Sequence, residues 1–434
     1  MKKLLIGILL LLGLQCSPAY ADFKSYTGSF LANTSTGNQS ITGVGFQPKV
    51  ILFLSDQKAD PQGFHNDARA TIGVGISSTS RFAIGYSGSA NAANPFVWGI
   101  SSGTKCILHV KGFPSVSIAA DFVSQDVDGF TVNWTTAPAT ATRIFYVALG
   151  GSDVLVSAGN FALSGSTGNQ SITGTGWQPD LVMFAGDASS DTENTSGKQS
   201  YNTVIGFATS SSNQFTIGRY GKGGTTPTSA GGIQVGDKCF ARLSNATTLD
   251  VAASFVSMDS NGFTIDVTNA GSRRIYYLAI KGVKASILSF SEPVATGTTT
   301  VTGVPFTPTT GLFFSMNKAS TTSITPDAAL MMGMVDQLKN YRVTMSDSQD
   351  AVNANSQEQG WTDETKFLKH GTATISTGTM TINAEATFTD WVPGGLTYNM
   401  TTGNATQREV YSVLLAPKGE IRVYNKTLYN MKEY

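Results

Sequence analysis

Few residues in this 434-residue chain have the types and spacing that enzymes use. It contains three histidines, His65, His109 and His370, and no two of them are expected at corresponding places in the repeats described below. A Ser-His-Asp site is recognised by geometry, so hydrolase chemistry would most plausibly form around His65 or His370. The sequence has no G-x-S-x-G, H-E-x-x-H or phosphate-loop motif. We therefore expect a protein that is not an enzyme and needs no cofactor, with a secreted hydrolase as an alternative.

One acidic segment could supply metal ligands. Asp187, Asp191 and Glu193 carry the hard oxygen atoms that calcium prefers. Their spacing is not that of an EF-hand loop, and acidic segments rich in Ser and Thr are usually solvated turns. We expect no metal site, and these three residues remain the calcium alternative.

Two tryptophans lie in polar, Gly-rich surroundings that suit ligand contact. Asn94 lies near Trp98, and Gln357 and Gln359 lie near Trp361. Amphipathic rings beside amide groups fit carbohydrate or protein surfaces. These five residues are the predicted ligand-binding residues, and a glycan or a surface protein is the predicted partner.

The charge balance argues against nucleic acid as a partner. Lys and Arg together number 29, as do Asp and Glu, so the chain has no basic field for a phosphate backbone.

The elements that must position these residues come from an internal repeat. The segment 35–48, STGNQSITGVGFQP, recurs at 166–179 as STGNQSITGTGWQP, and a divergent third copy occupies 296–308. The period of about 130 residues is a common domain size. We therefore predict domains at 22–151, 152–283 and 284–418, followed by a tail at 419–434.

Composition and pattern predict an all-β chain. Charged residues are only 13%, and 46 glycines separate runs rich in Thr, Ser and Val. The run Val50–Leu54 is apolar at every position, which is typical of a central strand buried on both faces. Asp128-Gly129 and Asn261-Gly262 indicate type I′ hairpins. We predict three tandem antiparallel β-sandwich domains, jelly-roll or lectin-like, each with six to eight strands that place Gly43, Gly174 and Gly303 in turns.

The middle of each repeat is its variable part. The segments 56–66, 187–197 and 317–326 differ in sequence and are expected to be loops displayed from a common scaffold. The third repeat has lost the Gly-rich middle strands, so it is expected to have diverged to a separate task.

Cys106 and Cys239 occupy corresponding places, where the third repeat has Phe367. A position that accepts Cys and Phe is typical of a buried apolar site. A disulfide between the two repeats is the alternative, because the predicted destination is oxidising.

The first 21 residues have the order of a secretory signal. Lys2 and Lys3 precede the apolar run 4–14, and Ala19-Tyr-Ala21 is a small-residue cleavage site. A membrane anchor or lipidation at Cys16 are alternatives, but the apolar run is shorter than the ~20 residues of a spanning helix. We expect an exported protein without a membrane span after cleavage, located at the cell surface or secreted.

The closing pattern of the repeat carries a resemblance. The segments 128–134, DGFTVNW, and 143–150, RIFYVALG, together with 45–48, GFQP, resemble uncharacterised repeated β-domains of bacterial surface and phage tail-associated proteins. More distantly, the pattern is similar to the H-type lectin domain, a β-sandwich that binds sugars as a trimer. The resemblance implies three sandwiches around a pseudo-threefold axis, with a linear string or a homo-oligomer as alternatives. It also implies a structural, adhesive or glycan-binding role, with a phage tail or capsid-decoration protein as the alternative.

Overall fold

The structure is a computed structural model that describes residues 22–419, except 57–62, 90–96, 111–115, 187–199, 225–226, 319–323, 351, 353–357 and 375–378. The expected signal segment and most of the tail lie outside the described residues. The described part of the chain forms 32 strands and no helix, which confirms the all-β prediction.

The first repeat contains eleven described strands, more than the six to eight predicted. They are β1 (Lys24–Leu31), β2 (Gly37–Thr42), β3 (Pro48–Ser55), β4 (Gly63–Asn66), β5 (Ala68–Gly75), β6 (Arg81–Gly88), β7 (Val97–Ser102), β8 (Ile107–Val110), β9 (Val116–Asp126), β10 (Gly129–Thr136) and β11 (Arg143–Gly150).

The second repeat contains ten described strands. They are β12 (Leu155–Ala162), β13 (Gly168–Thr173), β14 (Leu181–Gly186), β15 (Ser200–Ser210), β16 (Asn213–Lys222), β17 (Ser229–Val235), β18 (Phe240–Leu243), β19 (Leu249–Asp259), β20 (Gly262–Asn269) and β21 (Arg274–Lys281).

The third repeat again contains eleven described strands. They are β22 (Val283–Ser291), β23 (Gly297–Thr302), β24 (Thr310–Ser315), β25 (Thr325–Pro326), β26 (Ala328–Val335), β27 (Tyr341–Ser348), β28 (Glu358–Asp363), β29 (Leu368–Thr374), β30 (Thr379–Val392), β31 (Gly395–Thr402) and β32 (Glu409–Pro417).

Each repeat folds into one large and one small antiparallel sheet. In the first repeat the large sheet has the order β1-β11-β3-β5-β6-β7, and the small sheet has the order β2-β10-β9-β8. The other two repeats have the same order of equivalent strands. The predicted superposable strands are therefore observed, and equivalent residues can be matched through strand register.

The apolar run of β3 is explained by burial on two faces. Ile51 and Phe53 join the core between the two sheets of their own repeat. Val50, Leu52 and Leu54 point the other way, into a second core that contains residues of all three repeats. A strand between two cores has no polar face, which is why its sequence does not alternate.

The shared core closes the three repeats into a ring. β12 packs on β6, β22 packs on β16 and β1 packs on β27, so each repeat contacts both others. Equivalent aromatic pairs mark two of these contacts: Phe82 stacks on Tyr276 at 5.2 Å, and Phe215 stacks on Tyr411 at 4.7 Å between ring centroids. At the third contact, Thr27 N donates to Asp336 Oδ2 at 2.7 Å.

Parts of two of the expected display loops are strands that pair with a neighbouring repeat. β4 of the first repeat pairs antiparallel with β28 of the third, and β25 of the third pairs with β17 of the second. This strand exchange occurs because each large sheet ends at an edge strand whose backbone groups need partners. The corresponding segment of the second repeat lies outside the described residues.

The repeated signature forms a turn that a hairpin residue holds. Gly43, Gly174 and Gly303 lie outside strands with positive φ, as predicted. Asp128 accepts hydrogen bonds from Gly43 N at 3.0 Å and Gly45 N at 2.6 Å. The predicted hairpin is present, because β9 pairs with β10 around residues 127 and 128, but Asp128 has no positive φ, so the predicted type I′ turn is wrong at this site. Its carboxylate holds the signature turn instead.

Cys106 and Cys239 are buried free thiols, so they form no bridge. They share one environment with Phe367: a side chain at Gly73, Gly206 or Gly333 would collide with the carbonyl oxygen of Cys106, Cys239 or Phe367, respectively. Among the described residues, no helix is long and apolar enough to cross a bilayer.

Candidate functional site

The predicted ligand residues that the structure describes are largely buried. Trp98 on the edge strand β7 is 5% exposed and packs among apolar residues of the first repeat, and Gln359 on β28 is 0% exposed at the contact between the first and third repeats. Gln359 pairs in register with Asn66 of the exchanged strand. Their burial leaves neither side chain accessible for surface contact. Asn94 and Gln357 lie outside the described residues.

Trp361 is partly buried at the same contact between repeats. Its ring packs 6.4 Å from that of Phe64 in the exchanged strand, and Lys369 Nζ lies 4.3 Å from its ring centroid. The tryptophan therefore contacts an internal cation and a neighbouring repeat. Sequence reasoning could not foresee this, because the ring is covered by a segment about 300 residues earlier in the chain.

The calcium alternative falls on residues that are not described. Asp187, Asp191 and Glu193 lie outside the described residues. Within the described ranges, no three His, Cys, Asp or Glu side chains are grouped so that they could hold a metal ion.

His65 holds one strand exchange in place. Its Nε2 lies 2.9 Å from Asp56 Oδ2, and Thr362 Oγ1 of β28 donates to the same carboxylate oxygen. His65 is 8% exposed and Asp56 is 1% exposed. The pair thus joins the first repeat to the third, in a place where a substrate has little access.

Lys318 holds the other strand exchange. Its Nζ donates to the carbonyl oxygen of Gly232 at 2.6 Å and of Thr325 at 3.4 Å, which links β17 to β25. Burial lowers the pKa of Lys318 to about 7, an effect that the negative charge of Asp327 partly offsets. A buried lysine of this kind is often found at functional sites.

A buried ionic cluster lies where the three repeats meet. Tyr86, Arg219 and Ser346 occupy equivalent positions of β6, β16 and β27, yet Arg219 Nη1 donates to both other side chains. Three equivalent residues can meet only near a pseudo-threefold axis. Arg219 Nε also donates to Tyr201 OH at 2.6 Å, and Glu358 Oε2 lies 3.5 Å from Nη2.

Burial dominates the electrostatics of this cluster. It raises the pKa of Glu358 to about 7, although the charge of Arg219 and the hydroxyl of Ser348 act in the opposite direction. It also raises the pKa of Tyr201 above its usual range. The side chains of the cluster are almost completely buried, so we assign it to holding the three repeats together.

The best candidate site is a partly open cavity of about 410 Å³ at one end of the third sandwich. It is lined by polar side chains that follow β24, lie next to the exchanged strand β25, or lie at the end of β27. The main ones are Asn317, Lys318, Asp327, Asp347, Gln349 and Arg408.

Two features distinguish this cavity from an ordinary surface groove. Asn317 and Asp327 have φ angles of 56° and 70°, a conformation that residues other than glycine rarely adopt. Asn317 Oδ1 and Arg408 Nε are buried without a hydrogen-bond partner among the described residues. Polar atoms left in this way favour an occupant that can both donate and accept hydrogen bonds.

A smaller cavity of about 300 Å³ lies at the equivalent end of the first sandwich. It is lined by Arg69 and Thr142, whose places in the third repeat are taken by Ala329 and Arg408. The same end of the fold is thus hollow in two repeats, with different side chains in each.

The histidines are more regular than the sequence suggested. His109 and His370 occupy equivalent positions, with Arg242 at the third, so the expectation that no two correspond is wrong. Each lies three residues after Cys106, Phe367 or Cys239, and a β-bulge follows each one. Counting three residues from the aligned cysteine position would have found this.

No known protein-family model matches the chain, and no curated protein matches it significantly.

Proposed function

We propose that the chain is an exported, non-catalytic glycan-binding protein, with an adhesive role at the cell surface or outside the cell. The observation that carries the proposal is the polar cavity in the third sandwich. Its volume of about 410 Å³ falls within the range of small-ligand sites.

The lining of the cavity suits sugar hydroxyl groups. Lys318 and Arg408 supply donors, while Asp327 and Asp347 supply acceptors. A hydroxyl group donates one hydrogen bond and accepts others, so a polyhydroxylated ligand can use both kinds of partner at once. Arg408 and the partly charged Lys318 lie beside two carboxylates, so the lining has no strong excess of either charge, which favours a neutral ligand over a strongly charged one.

The histidine environments support a binding role over catalysis. His65 is held by Asp56 within a joint, and His370 is 1% exposed inside the third sandwich. A general base must reach the proton that it removes, and burial of this kind hinders that. The closed ring of three repeats also favours binding, because a rigid protein loses less conformational entropy when a ligand binds.

A glycan array screened with the full chain tests the proposal. The matched variants are Asp327→Asn in the cavity and Asp67→Asn at the equivalent turn of the first repeat, where φ is 86°. Asparagine tolerates this backbone, so both variants should fold. We expect Asp327→Asn to weaken glycan binding at least about tenfold and Asp67→Asn to leave it unchanged. Absence of any glycan ligand, or equal effects of the two variants, would overturn the proposal.

A structural part in a threefold assembly, such as a phage tail or capsid decoration, is the second candidate. The meeting of Tyr86, Arg219 and Ser346 near one axis favours it, because a pseudo-threefold ring matches a threefold partner. Cell fractionation separates the candidates: we expect the chain in the exported fraction, whereas recovery with purified virions would support the second candidate.

A further inference from the structure

Several buried hydrogen-bonding groups without partners lie in or next to the cavity at the end of the first sandwich. Arg69 Nε, Ser117 Oγ and both ring nitrogens of His109 have none among the described residues. Arg69 and Ser117 line the cavity, and His109 pairs in register with Ile118, which also lines it. Each buried group left unsatisfied costs about 1–3 kcal/mol, so a native fold rarely keeps several together without an occupant.

The second repeat shows what occupies the equivalent place there. Arg242 takes the position of His109, Asp250 that of Ser117 and Arg273 that of Thr142. The Asp250 carboxylate accepts a hydrogen bond from Arg242 and another from Arg273 Nη2 at 2.9 Å. An internal carboxylate thus lies between two donors at this end of the second sandwich.

The third repeat also has a carboxylate beside this position. Glu292 Oε1 lies 2.6 Å from His370 Nδ1, and both side chains are almost completely buried. The two atoms are close without hydrogen-bond alignment. The residue just before the bulge is therefore next to a carboxylate in two repeats: Arg242 in the second and His370 in the third.

The first repeat has no carboxylate at the position of Asp250, where Ser117 lies beside the cavity. Asp67, the acidic residue beside Arg69, is bonded to Nη2 and leaves Nε unused. We propose that this cavity binds a small oxyanion, a phosphate or a carboxylate, which Arg69 and Ser117 hold with His109 beside them. The ligand oxygen atoms would replace those that Asp250 supplies in the second repeat.

The chemistry of the donors fits this class of ligand. Arg69 offers a charged N–H and Ser117 a hydroxyl, while neutral His109 offers one ring N–H. Burial and the nearby charge of Arg69 lower the pKa of His109 to about 3, so the ring carries no charge at neutral pH. A bound anion would offset the charge of Arg69 and raise the pKa of His109, which makes this ring a reporter of occupancy.

The test titrates the full chain with inorganic phosphate and, separately, with acetate. Binding is measured by calorimetry, and the ring signals of the three histidines are followed by NMR. We expect saturable binding of at least one anion, with a shift of the His109 signals while those of His65 and His370 stay in place. The stronger of the two probes identifies the source of the oxyanion.

Ser117→Asp is the decisive variant because it copies Asp250 of the second repeat. Its carboxylate should fill the site from within, weaken anion binding at least about tenfold and raise the melting temperature. Asn383→Asp, at the equivalent position of the third repeat, is the matched control and should leave anion binding unchanged. Should Ser117→Asp fail to fold, Ser117→Ala still removes one donor and should weaken binding.

Failure of both anions to bind would overturn the proposal and leave water as the occupant. Binding that persists unchanged in the Ser117 variants would also overturn it, because the anion would then lie elsewhere. The site is separate from the cavity of the third repeat, so either result leaves the proposed glycan binding to be judged by its own experiment.

Discussion

Arg219 and Glu358 lie 3.5 Å apart across two repeats, and each is less than 5% exposed. Neither charge could remain so deeply buried without the other, since an isolated buried ion is strongly destabilised. The pair therefore makes the second and third repeats depend on each other at the point where the first also contributes Tyr86.

Replacement of Arg219 alone should destabilise the ring. Arg219→Met leaves Glu358 without its cation, and loss of one partner of a buried pair costs roughly 3–5 kcal/mol. Denaturant unfolding of the full chain, followed by tryptophan fluorescence, should show a lower midpoint. The double variant Arg219→Met with Glu358→Gln should recover part of the loss, and a double variant as unstable as the single one would contradict this account.

Glu358 should make stability fall as the pH rises. Its folded pKa of about 7 lies above the usual value of 4.5 for a glutamate, so the folded state favours the protonated form. The stability that the folded chain gains from protonated Glu358 is fully present below pH 4.5 and is lost as the pH rises through 7. Melting temperatures measured from pH 4.5 to 7 should fall less steeply in Glu358→Gln than in the parent chain. Parallel curves would show that Glu358 is not the group responsible.

Lys318 should act in the opposite direction at higher pH. Its folded pKa of about 7 lies below the usual value of 10.5 for a lysine, so the folded state favours the neutral amine. The stability that the folded chain gains from the neutral amine of Lys318 is fully present above pH 10.5 and is lost as the pH falls through 7. Lys318→Met should therefore flatten the rise of the melting temperature between pH 7 and pH 10. An unchanged slope would show that the amine remains charged in the folded chain.

Substitutions at two equivalent glycines, Gly360 and Gly232, can test how tightly the exchanged strands are packed. A side chain at Gly360 would collide with the ring of His65, which Asp56 holds, whereas one at Gly232 would meet the flexible ends of Met316 and Lys318. Gly360→Ala should cost roughly 1–3 kcal/mol, and Gly232→Ala should cost less. Hydrogen exchange at β4 and β25, respectively, measures both effects, and a larger effect at Gly232 would argue against the described His65 packing.

Much of the fold could be predicted from sequence because strand patterns are local. The apolar run of β3 and the glycines of the signature turn encode their own conformations, and both were found as predicted. The candidate site could not be predicted in this way. Trp98 and Gln359 have polar, Gly-rich neighbours in sequence, but Trp98 is buried within the first repeat and Gln359 is buried where the first and third repeats meet.

The cavity of the third repeat was missed for a related reason. Lys318 and Arg408 are about 90 residues apart, and the pairing of β24 with β32 brings them together, since Glu409 N donates to the carbonyl oxygen of Lys318. Their sequence surroundings resemble ordinary loops. The burial that lowers the pKa of Lys318 could not be read from them, because it depends on contacts with another repeat, such as that with Gly232.

The strand exchange has a consequence for the order of events as the chain leaves the ribosome or an export channel. Thr362 and Asp56, which join the exchanged strand to its host, are 306 residues apart in sequence. The first repeat emerges long before β28 exists, so β4 must wait unpaired until nearly the whole chain has been released. Contacts between such distant residues form slowly. Final closure is therefore a late step of maturation, and a chain truncated within the third repeat would leave the first with an open hydrogen-bonding edge that can recruit another copy.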